Sequence, residues 1–156
     1  MCHYCGCRQM PLIRDYVAEH ERATTLGGDA ARALDHLRLD EARRLLGELL
    51  EELRSHWQGE ENGIFAVMSK EPEYAAYIEP LVAEHRELAA LLTTVDLSDP
   101  ADRERVRAAV ADLDEHISKE EDGLFPASLI ALNGAEWDAA MAAWLEAHPG
   151  EEPMGG

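Results

Sequence analysis

The stretch His56-Trp-Gln-Gly-Glu-Glu-Asn-Gly-Ile-Phe65 returns later in the chain as His116-Ile-Ser-Lys-Glu-Glu-Asp-Gly-Leu-Phe125, with five of ten positions identical. Two further positions differ only by Asn/Asp and Ile/Leu exchange. The residues ahead of each block repeat as well, Ala18-Glu19-His20 being answered by Ala83-Glu84-His85. The chain therefore reads as two helix pairs, each supplying one lone histidine and one His-x-x-x-Glu. Residues i and i+4 share a helix face, so each His/Glu pair projects the same way.

Working outward from the blocks, apolar residues recur in steps of three and four. Pro11 opens a predicted first helix with Ile13, Tyr16, Val17, His20 and Ala23 inward, running to about Leu37 with a weak point at Gly27 and Gly28. Asp40 is the expected N-cap of a second helix, whose inward face is Leu46, Leu49, Leu53, His56, Glu60, Ile64 and Val67. Glu71 and Pro72 end it. A short helical piece from 73 to 78 meets Pro80, which should kink or restart a third helix bearing Leu81, His85, Leu88, Leu92 and Val95 inward. Ser98, Asp99 and Pro100 signal a fourth helix, with Val106, Ala109, Leu113, His116, Glu120, Leu124 and Ala127 inward, fading near Asn133 and Gly134. Trp137, Met141, Trp144 and Leu145 share one side of a last, short amphipathic helix.

Composition agrees. Of 156 residues 46% are hydrophobic and only 6% aromatic, and Ala, Leu, Glu and Arg outweigh β-branched residues, which favours helix over strand. The expected fold is all-α, an up-and-down four-helix bundle over residues 11–148. Ahead of it stands a Cys-rich segment, 1–10, and after it a tail, 149–156, expected to be disordered. A formal charge of -18 repels phosphate backbones and anionic lipid, so neither nucleic acid nor membrane is an expected partner. The absence of a long apolar run or a signal-type leader sets the expectation of a cytoplasmic protein.

His-x-x-x-carboxylate alone is weak in so acidic a chain, where His36/Asp40 and His148/Glu152 also meet it. The duplication singles out two pairs. Burial is a second argument, because His20, His56, Glu60, His85, His116 and Glu120 each replace an expected Leu, Val or Ala on an apolar stripe. Two buried carboxylates among four imidazoles would be costly without a cation to pair them. Imidazole with carboxylate and no thiolate suits iron or manganese, although zinc accepts the same set. If both glutamates bridge and the histidines divide two and two, each of two metals has four protein ligands. An oxo, hydroxo or water bridge makes five, leaving both metals open to a small molecule.

The order His, His-x-x-x-Glu, His, His-x-x-x-Glu, with its Glu-Glu-x-Gly-hydrophobic-Phe context, resembles the hemerythrin-like (HHE) cation-binding domains over roughly residues 11 to 133. The resemblance implies a non-haem di-iron centre on His20, His56, Glu60, His85, His116 and Glu120. Oxygen-carrying hemerythrins have a further histidine where this chain has Ala89. The pattern is closer to hemerythrin-like proteins of oxidative and nitrosative stress, including the iron-centre repair group. The resemblance thus implies binding and reduction of O2, peroxide or nitric oxide with electrons from a separate donor. The alternative is an iron or oxygen binding, sensing or storage module without turnover.

Glu61 and Glu121 point about 100° away from their neighbours around the helix, which makes them supporting or reserve ligands. His36, at the end of helix one, is expected to be exposed and would approach the metals only if that helix bent at Gly27. His148 belongs to the expected tail and has no assigned role. Cys2, Cys5 and Cys7, with Tyr4, are candidates for a redox or gating role, because a helix from Pro11 to His20 rises only about 14 Å and a ten-residue arm reaches further.

Overall fold

The computed structural model describes residues 6–154, the side chain of Cys7 excepted. Its elements are a 3-10 turn, Cys7–Gln9, then α1 (Ile13–Asp35), α2 (Leu39–Asn62), α3 (Ile64–Met68), α4 (Pro72–Thr94), α5 (Pro100–Lys119), a π-helical turn at Glu120–Leu124, α6 (Phe125–Ala131) and α7 (Gly134–Ala147). Among the described residues there is no strand, and no helix is long and apolar enough to cross a membrane. α1 packs on α2 and α5, and α4 packs on the same two, closing a ring of four. The short connections make successive long helices antiparallel. α7 lies across α2 and α3.

The bundle interior has three layers. Val17, Ile64, Leu81, Leu124 and Phe125 belong to one apolar cluster; Ala23, Leu49, Leu53, Leu113 and Val106 belong to the other. Between them every long helix offers a polar residue one turn from both clusters: His20 on α1, His56 and Glu60 on α2, His85 on α4, His116 on α5 with Glu120 just beyond. All six are buried.

Several element boundaries differ from the sequence reading. α1 starts at Ile13 rather than Pro11, because Leu12 adopts φ 73° and its N–H is taken by the Asp15 carboxylate at 3.2 Å. Gly27 does not weaken α1. It is buried where α5 approaches, and a Cβ there would stand 3.3 Å from Val110. α2 is capped at Arg38, slightly earlier than expected. Asp40 lies in the first turn instead, pairing with Arg43 at 2.7 Å, where a carboxylate also favours the helix dipole. Pro80 neither breaks nor restarts α4. Proline removes a donor to the carbonyl four residues back, and here Ala76 and Pro80 both lie on an exposed face. Asp99 does cap α5, accepting from the Ala101 N–H at 2.9 Å.

The segment after α7 has no regular structure over 151–153 and is described through Met154. The Met154 N–H donates to Asp15 at 2.7 Å, so the carboxylate that caps α1 also holds the tail. In α7, Trp144 is buried but Leu145 is 42% exposed; the helix turns Ala140, Ala143 and Ala147 to the bundle instead.

α1 ends in a Schellman turn, with Arg38 N–H bonded to Ala33 O at 2.8 Å and Leu37 N–H to Leu34 O at 3.0 Å. The left-handed position of that motif, φ 55°, is filled by the exposed Leu37. Glycine adopts this conformation without a Cβ clash. Leu37→Gly is expected to stabilise the protein by about 1 kcal/mol, read as a higher urea midpoint at unchanged m-value.

Candidate metal centre

The central polar layer is built from two imidazole pairs. His20 Nε2 and His56 Nε2 face each other at 3.0 Å, and His85 Nε2 faces His116 Nε2 at 3.1 Å. Glu60 Oε1 lies against His56 Nε2 and 3.5 Å from His20 Nε2, while its Oε2 lies 3.7 Å from His85 Nε2. Glu120 spans the pairs in the same way, with Oε1 3.6 Å from His20 Nε2 and Oε2 2.6 Å from His116 Nε2. Two cation-sized clusters result, His20/His56/Glu60/Glu120 and His85/His116/Glu120.

Each imidazole is oriented from behind by a carboxylate on its Nδ1. Glu121 accepts from His20 at 2.7 Å, Glu19 from His56 at 3.1 Å, Glu61 from His85 at 3.0 Å and Glu84 from His116 at 2.7 Å. An ionised carboxylate only accepts, so the proton sits on Nδ1 and the neutral ring aims its Nε2 lone pair inward. The pattern follows the internal repeat. Glu19 and Glu84 each serve a histidine of their own half, whereas Glu61 and Glu121 cross over to the other half.

These carboxylates are held in turn. Lys119 donates to Glu84 at 2.7 Å, and Arg8 pairs with Glu121 at 2.6 Å. Trp144 Nε1–H donates to Glu19 at 3.1 Å, and His148 Nε2 lies 3.2 Å from the same group. His148 is thus not a tail residue. It is buried, stacks on Trp144 with ring centroids 4.1 Å apart and bonds the Trp144 carbonyl.

The two sequence blocks are not identical in backbone. After Glu60 the helix is interrupted at Gly63; after Glu120 it widens into the π-helical turn, in which the Phe125 N–H reaches Glu120 O. Tyr77 O–H donates to Lys119 O at 2.8 Å, completing that turn. Such wide turns hold an extra residue and recur at functional sites. Glu120 and Glu121 are both buried here, while the Glu61 side chain keeps 32% exposure.

Both oxygens of Glu60 and both of Glu120 are buried and receive no hydrogen bond from the described residues. Four orphaned carboxylate oxygens beside two pairs of opposed lone pairs require cations. Without metal, protons must serve. Burial opposes the charged form of His20, but Glu120, Glu121 and Glu60 more than offset it and push the imidazole up to about 10. Burial, reinforced by the Glu120 charge, pushes the Glu60 carboxyl well up. The donor set fits a metal centre: harder carboxylates between borderline imidazoles, with ring tautomers preset.

Among the other residues singled out by sequence, His36 is exposed at the C-cap of a continuous α1. Cys2, Tyr4 and Cys5 lie outside the described residues, as does the Cys7 side chain. Sequence reasoning missed Glu19, Glu84, Trp144, His148 and Arg8. Only Glu19 and Glu84 left a signal, as the middle residues of the repeated Ala-Glu-His.

Aromatic rings cover both halves of the centre. Phe125 stacks on His20 at 5.9 Å and Tyr16 meets His56 edge-on at 5.8 Å, with Trp144 and His148 behind. On the other side Trp57 and Phe65 stack on His85 at 4.7 and 5.8 Å, and His85 and His116 form part of the wall of a cavity of about 480 Å3 between α4 and α5.

No curated protein and no solved structure matches the chain. The family model of the hemerythrin HHE cation-binding domain matches residues 12–128, a span that contains all six residues of the polar layer. On that match and this bundle, the chain belongs to the hemerythrin HHE cation-binding domain family.

Proposed function

We propose that the polar layer is a di-iron centre at which a small oxidant, O2, peroxide or nitric oxide, is bound and reduced in defence against oxidative or nitrosative stress. The observation that supports this reading is the geometry of Glu60 and Glu120, each spanning both imidazole pairs with no hydrogen bond from the described residues to either of its own oxygens. His20 and His56 would hold one iron, His85 and His116 the other, and the two carboxylates would bridge them. Iron, when bound, supplies the electrons and an open position for the oxidant.

The protein's own groups do the remaining work. The carboxylates behind the imidazoles fix their tautomers and raise their donor strength. Burial of the layer excludes water. Tyr16 stays protonated beside it, because burial and the charges of Glu60 and Glu19 push its phenol well up.

Anaerobic loading of the chelator-treated protein is expected to give two irons per chain. Catalytic consumption of peroxide or nitric oxide with a supplied reductant would then be seen. Fewer than one metal per chain sinks the centre; a single stoichiometric reaction that then stops replaces turnover with sensing or storage. Glu19→Ala, which removes the partner of His56 Nδ1, is expected to weaken metal binding about 10- to 100-fold. Competition against a chelator of known affinity measures it.

A further inference from the structure

The cavity between α4 and α5 has a floor of Trp57, Leu88, Leu91, Ala109 and Leu113 and reaches His85 and His116. Leu88 and Leu113 stand one helical turn from those histidines on the same faces. Ala89, one turn beyond His85, has no group that could compete for the position beside it. The cavity's volume of about 480 Å3 is ample for a diatomic or peroxide to rest against His85 and His116.

The rim is strongly acidic. Glu84, Glu87, Asp112 and Glu115 face only Arg105 and Lys119 among the residues that line it. Lys119 is neutralised by Glu84 at 2.7 Å and Arg105 by Asp102 at 3.0 Å, which leaves the exposed carboxylates of Glu87, Asp112 and Glu115 to set the potential. A cleft lined by one sign of charge concentrates or repels ions before they enter, and does neither to a neutral molecule.

We infer that the α4–α5 groove is the entrance to the centre and a charge filter, admitting small uncharged oxidants to the His85/His116 side and rejecting anions. This deepens the reading above as a di-iron centre, and on that reading the His85/His116 side is where an oxidant reaches the centre from the groove.

The route is tested first without metal. In the metal-free protein, paramagnetic relaxation by dissolved O2 should be strongest at the methyl groups of Leu88, Leu91 and Leu113 and weak at Val17 and Ile64. Equal or reversed relaxation overturns the entrance whether or not iron binds, and leaves the di-iron reading to its own metal count.

In the iron-loaded protein, stopped-flow association of nitric oxide should slow by about tenfold or more in Ala109→Trp, through loss of preformed access. The metal count should stay unchanged. Ala108→Phe, at the exposed rim, should slow it less, and Ala18→Trp, on the opposite side of the bundle, not at all. Slowing by Ala18→Trp alone overturns the route. The triple variant Glu87→Gln/Asp112→Asn/Glu115→Gln should speed azide association about fivefold at low ionic strength and leave nitric oxide unchanged. Azide entry that is indifferent to both salt and these charges overturns the filter.

Discussion

Replacing both central carboxylates, Glu60→Gln/Glu120→Gln, is expected to abolish metal uptake and yet to make the metal-free protein more stable. Glutamine keeps the volume of glutamate, so the two apolar clusters either side of the layer need not repack. It removes two buried carboxylates whose four oxygens accept no hydrogen bond from the described residues, and it supplies amide N–H donors to the facing imidazole lone pairs. Without metal the layer holds Glu60 as a neutral acid and Glu120 as a carboxylate against a charged His20. With glutamine at both positions His20 can return to the neutral form on Glu121, and replacing such a buried ion pair by neutral groups of like size stabilises by about 1 to 4 kcal/mol in comparable cases. About 2 kcal/mol is the expected gain here, within that range, measured by urea unfolding in chelator.

With metal present the sign reverses. A ligand that binds only the folded state adds about 4 kcal/mol at a thousand times its Kd, which the wild type gains and the variant does not. The crossing of the two stabilities as metal is added is the diagnostic result. If the variant were the less stable protein in chelator as well, the layer would be satisfied by its own side chains and the argument for a cation would fall.

The second large effect lies at the paired glycines of the repeat. A Cβ on Gly63 would stand 2.5 Å from Gly59 O, 3.1 Å from Ala140 O and 3.3 Å from Ala143 Cβ. Two of those neighbours are backbone, one of them in α7, so Gly63→Ala must either distort the end of α2 or push α7 outward. α7 carries Trp144 and leads into His148, the partners of Glu19, so displacement would loosen the His56 side of the centre too. Overpacking of this kind costs about 3 kcal/mol.

Gly123→Ala meets a softer neighbour. Its Cβ would approach Tyr77 Oη at 2.6 Å, the end of a half-exposed side chain that can swing away. The loss is then one hydrogen bond, Tyr77 O–H to Lys119 O, about 1 kcal/mol. Thermal unfolding of the two variants should therefore separate clearly, with Gly63→Ala the lower. Equal melting temperatures would mean that α7 is not held as rigidly as its packing indicates.

The six residues of the polar layer were legible because two periodicities coincide on them. They fall on the 3.6-residue apolar stripes, and they recur in a duplicated block, so each is a polar residue where Leu or Ala was due. The family context came from the same residues. Helix number and inward faces were legible for the same reason, since the stripe that is buried is written directly into the chain.

Glu19 and Glu84 were visible only as repeated letters. In a chain of charge -18 a glutamate on a helix reads as solvated, and nothing local distinguishes one that meets a histidine of the neighbouring helix. Pro80 left a kink and a restart both open, and the continuous α4 excludes only the restart, with Ala76 and Pro80 on an exposed face. His148 misled because its partners, Trp144 and Glu19, are brought together only when α7 folds back over α2.

By itself, then, the sequence determined the all-α bundle, its duplicated plan and the layer of histidines and glutamates at its centre, because these rest on spacing along a helix. Tertiary structure alone decided which carboxylate orients which imidazole and the widened turn that buries Glu121 beside Glu120. It also decided which aromatic rings cover the imidazoles and the α4–α5 groove whose wall includes His85 and His116. Those features depend on distances between helices, and a single helix's pattern carries no information about what stands opposite it.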